Sequence, residues 1–189
     1  MINDYIYELN FKFDIHKLKQ SLEWILDDAD INRVESLCLT HAPAKSKHPD
    51  DYYYQGAGSL YYEFKTAPGK LIKTKREDPL KESDFTHFID KLKHTYFFEV
   101  YQQLSTKFDI GRMRVMKLNP LNCLTWHHDT AKRIHIPIIT NPGNKLVVEN
   151  TVAHLPANGQ AYMVDTTRNH SAFNAGLENR YNLLCSLHE

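Results

Sequence analysis

From Arg112 to the end of the chain, short apolar segments follow one another and turn-forming residues separate them. The turn signals are Asn119-Pro120, Asn141-Pro142-Gly143 and Asn158-Gly159. Many short strands with regular turns are typical of a sandwich or a barrel, and this number favours a jelly roll. Pro137 inside one segment predicts an edge strand or a bulge. We therefore predict strands over 112–118, 123–127, 133–139, 145–148, 161–164, 171–173 and 181–187.

The N-terminal part has mixed patterns. Residues 5–13 alternate polar and apolar side chains, which predicts a half-buried strand. Asp14 then precedes an apolar repeat at helical spacing and can cap a helix from Ile15. Further strands are predicted over 34–40, 59–64 and 70–76, and a long scaffold helix over 85–104 with Ser83 as its cap. The expected fold class is mainly β with flanking helices around a double-stranded β-helix (jelly roll).

The chain length of 189 residues fits one domain with a sizeable core. We expect strands, a Tyr-rich loop and scaffold helices in residues 1–110, and the jelly-roll core in residues 111–189.

Charge and composition narrow the function classes. Lys plus Arg and Asp plus Glu each number 23, so no overall field favours nucleic acid or an anionic membrane. No apolar run approaches membrane-spanning length, and the N-terminus lacks the pattern of a signal peptide. Cys38, Cys123 and Cys185 are odd in number and far apart, which predicts free thiols. We expect a cytoplasmic protein without nucleic-acid or membrane partners, and the sequence does not indicate an oligomeric state.

The segment Trp126-His127-His128-Asp129 carries metal-ligand spacing. His127 and Asp129 are two residues apart, so on extended backbone both side chains leave the same face. His170 can add a second imidazole from a later strand. Two imidazoles and one carboxylate form the facial triad that suits non-haem Fe(II) and leaves positions open for a co-substrate and O₂. The alternative is that all three are ordinary polar residues of strands and turns.

Cationic side chains near this triad predict an anion site. Arg180 opens the last predicted strand, and its guanidinium group matches a carboxylate in bidentate fashion. Arg133 and His135 are two residues apart and therefore share a strand face, and a core-facing arginine needs an anion. The alternative for Arg133 is a surface ion pair with Glu149 or Asp165.

Candidate substrate residues lie in and near a long predicted loop over 42–58, which shows no core periodicity. Loops of this length are often binding loops or lids. Its tyrosines each combine an apolar face with a polar tip, so they can line a substrate cleft or pack the loop onto the core. The candidate substrate residues are Tyr52, Tyr53, Tyr54, Trp126 and Asn174.

A set of C-terminal motifs carries a family resemblance. The motifs are Leu-Asn-Pro (118–120), Trp-His-His-Asp (126–129), Arg-Ile-His-Ile-Pro (133–137), Gly-Gln-Ala-Tyr-Met-Val-Asp (159–165), His-Ser-Ala-Phe-Asn-Ala-Gly (170–176) and Arg-Tyr-Asn-Leu (180–183). In order and spacing, residues 112–187 resemble the jelly-roll 2-oxoglutarate/Fe(II) oxygenases, and within them the aspartyl/asparaginyl β-hydroxylase family.

The resemblance implies roles for particular residues. His127, Asp129 and His170 would hold the iron. Arg180 would pair with the distal carboxylate of 2-oxoglutarate. Arg133 and His135 would reach the end of the co-substrate nearer the metal.

The chain departs from the family pattern at two positions. The vertebrate-type enzymes have glycine where this chain has Asp129, so Asp129 restores the complete triad of the wider superfamily. The hydroxyl residue that assists the carboxylate-binding arginine corresponds to Met116, whose thioether is a poor hydrogen-bonding group. Another group must therefore assist Arg180, and protein aspartyl hydroxylation is not implied as the reaction.

Together these features predict an Fe(II)- and 2-oxoglutarate-dependent dioxygenase. It would use O₂ to hydroxylate an amino-acid side chain, free or within a peptide. Two alternatives stay open: a cupin-like metal enzyme that does not use 2-oxoglutarate, and a non-catalytic binding module of the same fold. The sequence does not indicate the substrate or the position and stereochemistry of hydroxylation.

Overall fold

The structure is a computed structural model that describes residues 4–45, 52–67 and 70–188. Its α-helices are α1 (Ile15–Asp28) and α2 (Tyr96–Ser105). The strands are β1 (Ile6–Lys12), β2 (Ser36–Cys38), β3 (Thr40–His41), β4 (Tyr62–Ala67), β5 (Lys70–Lys75), β6 (His87–Phe88), β7 (Ile110–Leu118), β8 (Asn122–Cys123), β9 (Arg133–Ile139), β10 (Asn144–Val148), β11 (Thr151–Ala153), β12 (Gln160–Val164), β13 (His170–Asn174) and β14 (Arg180–Leu187).

Two antiparallel sheets pack together as a jelly roll. The larger sheet has the strand order β1-β12-β9-β14-β7-β2, and the smaller has the order β11-β10-β13-β8. Apolar side chains from both sheets form one buried cluster, which includes Leu118, Leu146, Val164 and Ala172. The predicted mainly-β jelly-roll fold is therefore confirmed. Each strand predicted after Arg112 has a counterpart, and β11 is an additional short strand.

The two helices cover the outer face of the larger sheet. The buried stripe of α1 (Leu18, Leu22 and Ile25) packs in a core cluster with β-strand residues such as Ile134 and Ile136. Fully burying each such side chain stabilises the fold by about 1.5–3 kcal/mol. The predicted cap is also present, because the Asp14 carboxylate accepts hydrogen bonds from two backbone N–H groups of the first turn.

The prediction of one long helix over 85–104 is wrong. α2 begins only at Tyr96, and β6 and two short 3₁₀ turns precede it. In that region β6 pairs with β3, and the backbone N–H of Ile89 donates to the carbonyl of Leu39 at 2.8 Å. The apolar stripe is nevertheless buried in this irregular backbone, as Phe85, Phe88, Ile89 and Leu92 show. The helical spacing therefore correctly indicated which side chains are buried, but it did not predict the backbone conformation.

The strand pairing contains two register shifts. In β1 Ile6 is buried and Tyr7 is 37% exposed, although alternation predicted the reverse. The pairing of β1 with β12 shifts by two residues between Glu8 and Lys12, because four steps along β1 correspond there to two steps along β12. Pro137 lies at a second shift, in the pairing of β9 with β14. This confirms a bulge, since β9 is an inner strand of its sheet.

The segments predicted as strands over 59–64 and 70–76 correspond to a separate hairpin of β4 and β5. Residues 46–51 of the predicted long loop lie outside the described residues. Within the part of the chain that the structure describes, neither helix has the length and apolar character needed to cross a membrane.

Candidate metal centre and anion-binding cavity

The antiparallel pairing of two backbone segments brings His127 and His170 together. The two residues form an isolated β-bridge and exchange both backbone hydrogen bonds, with N···O distances of 3.1 and 2.7 Å. Their ring centroids lie 4.3 Å apart. Asp129 leaves the same face two residues after His127, as predicted. One ligand atom from each of His127, Asp129 and His170 lies within 4.8 Å of the other two, so one metal ion can contact all three.

Backbone carbonyls orient both imidazole rings. The Nδ1–H of His127 donates to the carbonyl of Thr125 at 2.6 Å, and that of His170 donates to the carbonyl of Arg168 at 3.0 Å. Burial lowers the pKa of His170, which favours the neutral ring. The Nε2 atoms lie 3.9 Å (His127) and 3.5 Å (His170) from the Asp129 carboxylate, and Nε2 is the ring nitrogen left for a metal when Nδ1–H is bound to a carbonyl.

Asp129 is held by a buried arginine. The Nη1 of Arg133 lies 2.7 Å from Oδ2 of Asp129, and its Nη2 lies 3.7 Å from Oε1 of Glu82. Asp129 Oδ2 also lies 3.5 Å from Nε2 of His170. Arg133 is buried, so the surface ion pair considered for it is wrong. Its contacts with two protein carboxylates orient Asp129, and a role as a ligand of 2-oxoglutarate stays a prediction.

These residues open into a cavity of about 560 Å³ between the two sheets. Strand alternation sends one set of side chains from the larger sheet into it and the other set toward the helices. The register places Arg114, Leu184 and His135 in one row across β7, β14 and β9. The larger sheet contributes Ser36, Arg112, Arg114, Met116, Lys117, Leu118, Arg133, His135, Arg180, Asn182 and Leu184 to the lining.

Arg180 is buried in this cavity without a carboxylate partner among the described residues. Burial lowers the pKa of Arg180 to about 10, because the charged form is desolvated and no acid offsets the cost. When the amide of Asn182 is oriented with its oxygen toward the donors, that oxygen accepts from Nη2 of Arg180 at 2.9 Å. Asn182 also pairs with Met116 in the sheet register. Asn182 is thus a polar group in contact with Arg180 on the strand that pairs with Met116.

His135 is fully buried between cationic neighbours. Burial, followed by the charges of Arg180 and Arg133, holds the pKa of His135 well below its usual value. In the same orientation of Asn182 the Nδ1–H of His135 donates to the amide oxygen at 3.2 Å. Its Nε2 has no hydrogen-bond partner among the residues that the structure describes. The predicted placement of Arg133 and His135 on one strand face of the cavity is therefore confirmed as geometry.

The structure does not bring the predicted tyrosines into this cavity. The hydroxyl of Tyr53 donates to Asp28 at 2.6 Å, that of Tyr54 donates to the carbonyl of Asp30, and the ring of Tyr52 stacks on a histidine outside the cavity. These contacts favour packing onto the core, the alternative reading of the sequence.

The other two candidate substrate residues have different surroundings. Trp126 is 53% exposed beside the metal-ligand cluster and does not line the cavity wall. Asn174 is buried, and its amide donates to the carbonyls of Leu118, Asn119 and Glu178. Its hydrogen bonds therefore connect β13 to the end of β7 and to the segments that follow β7 and precede β14.

Sequence reasoning missed three buried residues of the site: Glu82, Arg112 and Arg114. Arg112 forms a bidentate pair with Glu82, with N···O distances of 2.9 and 2.8 Å. A signal was available, because Arg112 and Arg114 alternate with apolar residues in a strand just as Arg133 and His135 do. Nothing in the sequence marks Glu82, which reaches Arg112 from a 3₁₀ turn.

The fold and the site define a class of jelly-roll proteins with a cluster of two histidines and one carboxylate beside a cationic cavity. The family model of the aspartyl/asparaginyl beta-hydroxylases matches residues 82–189. The chain therefore belongs to the aspartyl/asparaginyl beta-hydroxylase family. No curated protein sequence matches the chain.

Two solved structures are similar over nearly the whole chain. One is a truncated viral collagen prolyl hydroxylase from Paramecium bursaria Chlorella virus-1, with 7% identity and a TM-score of 0.54, over 97% of this chain and 88% of that chain. The other is AviO1 from Streptomyces viridochromogenes Tue57, with 13% identity and a TM-score of 0.51, over 100% of this chain and 91% of that chain. At these identities the likeness shows the fold alone.

Proposed function

We propose that the protein is an Fe(II)- and 2-oxoglutarate-dependent dioxygenase that hydroxylates an amino-acid side chain, free or within a peptide. The observation that carries this proposal is the buried Arg180, which has no described acidic partner and shares a cavity with His127, Asp129 and His170. An unpaired buried charge is costly, so the site is built for an anion that enters from outside.

The described residues fit the iron. His127 and His170 offer imidazole nitrogens in rings oriented through Nδ1, and Asp129 supplies one carboxylate. This donor set suits Fe(II) and leaves positions open. When bound, Fe(II) with 2-oxoglutarate and O₂ supplies the oxidising power for hydroxylation, with succinate and CO₂ as co-products.

The remaining residues position and shield the reactants. Arg180, assisted by Asn182, holds the distal carboxylate of 2-oxoglutarate. Arg133 keeps Asp129 oriented toward the two histidines. The walls from the two sheets exclude bulk water, which strengthens the charge interactions inside.

The rival functions make different demands on Arg180. A cupin-like metal enzyme without 2-oxoglutarate does not require an anion to compensate the buried charge of Arg180. A non-catalytic binding module has no use for two imidazoles oriented through Nδ1 with both Nε2 atoms near one carboxylate. Both features support the oxygenase.

The test is succinate formation by the purified protein, reconstituted with Fe(II) without O₂ and then exposed to air with 2-oxoglutarate. We expect slow O₂-dependent conversion to succinate, and faster conversion when a member of an amino-acid and peptide library is a substrate. His170→Ala should abolish both rates. Iron-loaded protein that consumes no 2-oxoglutarate with any library member would exclude the proposed function.

A further inference from the structure

A second arginine in the cavity lacks an acidic partner. Arg114 is 6% exposed, and its Nη1 donates to the carbonyl of Ala57 at 2.7 Å. Among the described residues its Nε has no hydrogen-bond partner, and no carboxylate forms an ion pair with it. Its charged neighbours include Arg112, Arg133 and Glu82, but Glu82 is already paired with Arg112 and lies 3.7 Å from Arg133, which also binds Asp129. Arg114 thus keeps unused donors in a wall of the cavity.

Arg114 stands apart from the arginine that we assign to the co-substrate. Arg180 pairs with Leu118 in the register of β7 and β14, four residues beyond Arg114. Four residues span about 13 Å along a strand. One small dicarboxylate that reaches from the metal to Arg180 therefore leaves the Arg114 end of the wall free for another molecule.

A hydroxyl group on the adjacent strand is also unused. Ser36 of β2 lies beside Met116 and diagonally from Arg114 on the same face of the sheet. It lines the cavity, is 1% exposed, and its Oγ has no hydrogen-bond partner within the described part of the chain. A buried hydroxyl without a partner is uncommon in a native structure, so it points to an absent ligand.

The buried charges of the cavity also leave a positive surplus. Among the described lining residues, five are cationic (the buried Arg112, Arg114, Arg133 and Arg180, and the partly buried Lys117) and three are acidic (the buried Glu82, and the partly buried Asp129 and Glu35). The far carboxylate of 2-oxoglutarate would neutralise Arg180 and not Arg114. A neutral substrate would leave the Arg114 charge uncompensated in a closed site.

We propose that Arg114, with Ser36 as a second donor, binds a carboxylate group of the substrate and selects carboxylate-bearing substrates over their amides. The proposal rests on the proposed function for what is done to the substrate, but the recognition itself is a binding property. The carboxylate comes either from the main chain of a free amino acid or from an acidic side chain. In both cases Arg114 is a specificity-determining residue.

The test measures binding without turnover. The protein is loaded with Mn(II), kept free of O₂ and saturated with 2-oxoglutarate, and matched acids and amides are titrated by calorimetry. The pairs are the standard amino acids with their α-amides, and aspartate with asparagine and glutamate with glutamine. We expect at least one acid to bind about tenfold or more tightly than its amide. The α-amide pairs and the side-chain pairs distinguish the two sources of the carboxylate.

The variant Arg114→Met should lose that preference, with acid affinity lower by about tenfold or more and amide affinity nearly unchanged. Ser36→Ala should weaken acid binding by a smaller factor. Arg114→Lys keeps the charge and should bind acids with intermediate affinity, which also provides a variant if Arg114→Met does not fold. Lys132→Met, which removes an exposed cation nearby, should behave as the parent protein.

The failure of this proposal is distinguishable from the failure of the proposed function. The Arg180→Met variant lacks the proposed co-substrate arginine. If this variant still prefers acids over amides, and the double variant Arg180→Met/Arg114→Met does not, then Arg114 is responsible for the preference whether or not 2-oxoglutarate binds. An Arg114→Met protein that binds acids as tightly as the parent would overturn the proposal. A parent protein that binds no acid more tightly than its amide would also overturn it. So would an Arg114→Met variant that loses affinity for 2-oxoglutarate but not for the acids.

Discussion

The guanidinium Nη1 of Arg133 lies 2.7 Å from Oδ2 of Asp129, four residues earlier in the chain. Both groups are largely shielded from solvent, with side-chain exposures of 9% and 15%. The pair joins the metal-ligand cluster to the cationic wall of the cavity. Loss of Asp129 therefore removes a candidate metal ligand and also leaves Arg133, among the described residues, with the more distant Glu82 as its acidic neighbour.

Asp129→Ala should for this reason destabilise the metal-free protein. A buried guanidinium group that loses its nearest carboxylate costs about 1–3 kcal/mol, and Glu82 limits the effect. His127→Ala removes a half-exposed ring and should cost less. Urea denaturation of both variants without metal measures the difference. Equal free energies of unfolding would mean that the ion pair contributes nothing to stability.

His170→Ala should abolish stoichiometric binding of Fe(II) and leave a folded protein. The reason is that His170, His127 and Asp129 are the whole protein-derived ligand set in our proposal. His154→Ala is the matched control, because the Nδ1 of His154 also contacts a backbone carbonyl but the ring lies outside the cluster. Anaerobic iron titration measures both. Undiminished iron binding by His170→Ala would refute this ligand assignment.

Arg180→Met should weaken 2-oxoglutarate binding by about tenfold to a thousandfold, which matches a lost charge-assisted pair of ~1.5–4 kcal/mol. Iron affinity without co-substrate should hardly change, because Arg180 is not a ligand. Asn182→Leu should show a smaller loss, since it removes only the amide that orients Arg180. Calorimetric titration of the Mn(II)-loaded variants with 2-oxoglutarate measures the two losses of affinity. If Arg180→Met kept the affinity of the parent, the carboxylate would belong to another cation.

Tyr53→Phe should lower stability and leave 2-oxoglutarate binding unchanged. It removes a hydrogen bond to Asp28 worth about 0.5–1.5 kcal/mol, at the lower end because Asp28 is partly exposed. The bonds from Lys91 and Tyr53 lower the pKa of Asp28 from 3.8. Their stabilising effect is therefore complete above that value and lost as the pH falls through the lower folded pKa.

Urea denaturation between pH 3 and pH 7 measures this prediction, with Tyr7→Phe as a control on a more exposed ring. The difference between Tyr53→Phe and the parent should shrink at the acid end. A difference that does not change with pH would mean that Asp28 is not the partner that matters.

Much of the C-terminal fold was predictable because strand alternation there is regular. The predicted segment 133–139 coincides with β9 (Arg133–Ile139), and its alternation correctly placed Arg133 and His135 on one face. The group of candidate metal ligands was predictable for the same reason, since His127 and Asp129 are two residues apart.

Long-range packing could not be predicted in this way. Glu82 and Arg112 are 30 residues apart, and no local pattern pairs them. The stripe before Tyr96 is buried by pairing with β3 and not by a helix, because apolar spacing alone does not determine backbone hydrogen bonding. Tyr53 resembles a cleft residue in sequence and packs on α1 in the structure.

We propose that one cavity holds Fe(II) and 2-oxoglutarate together. An anaerobic titration of the Fe(II)-loaded protein with 2-oxoglutarate tests this, because the weak visible charge-transfer band of the chelated pair can be followed. We expect a band that saturates at one 2-oxoglutarate per iron, requires more 2-oxoglutarate in Arg180→Met and is absent in His170→Ala. A parent protein that binds one Fe(II) and shows no band at any concentration of 2-oxoglutarate would contradict it.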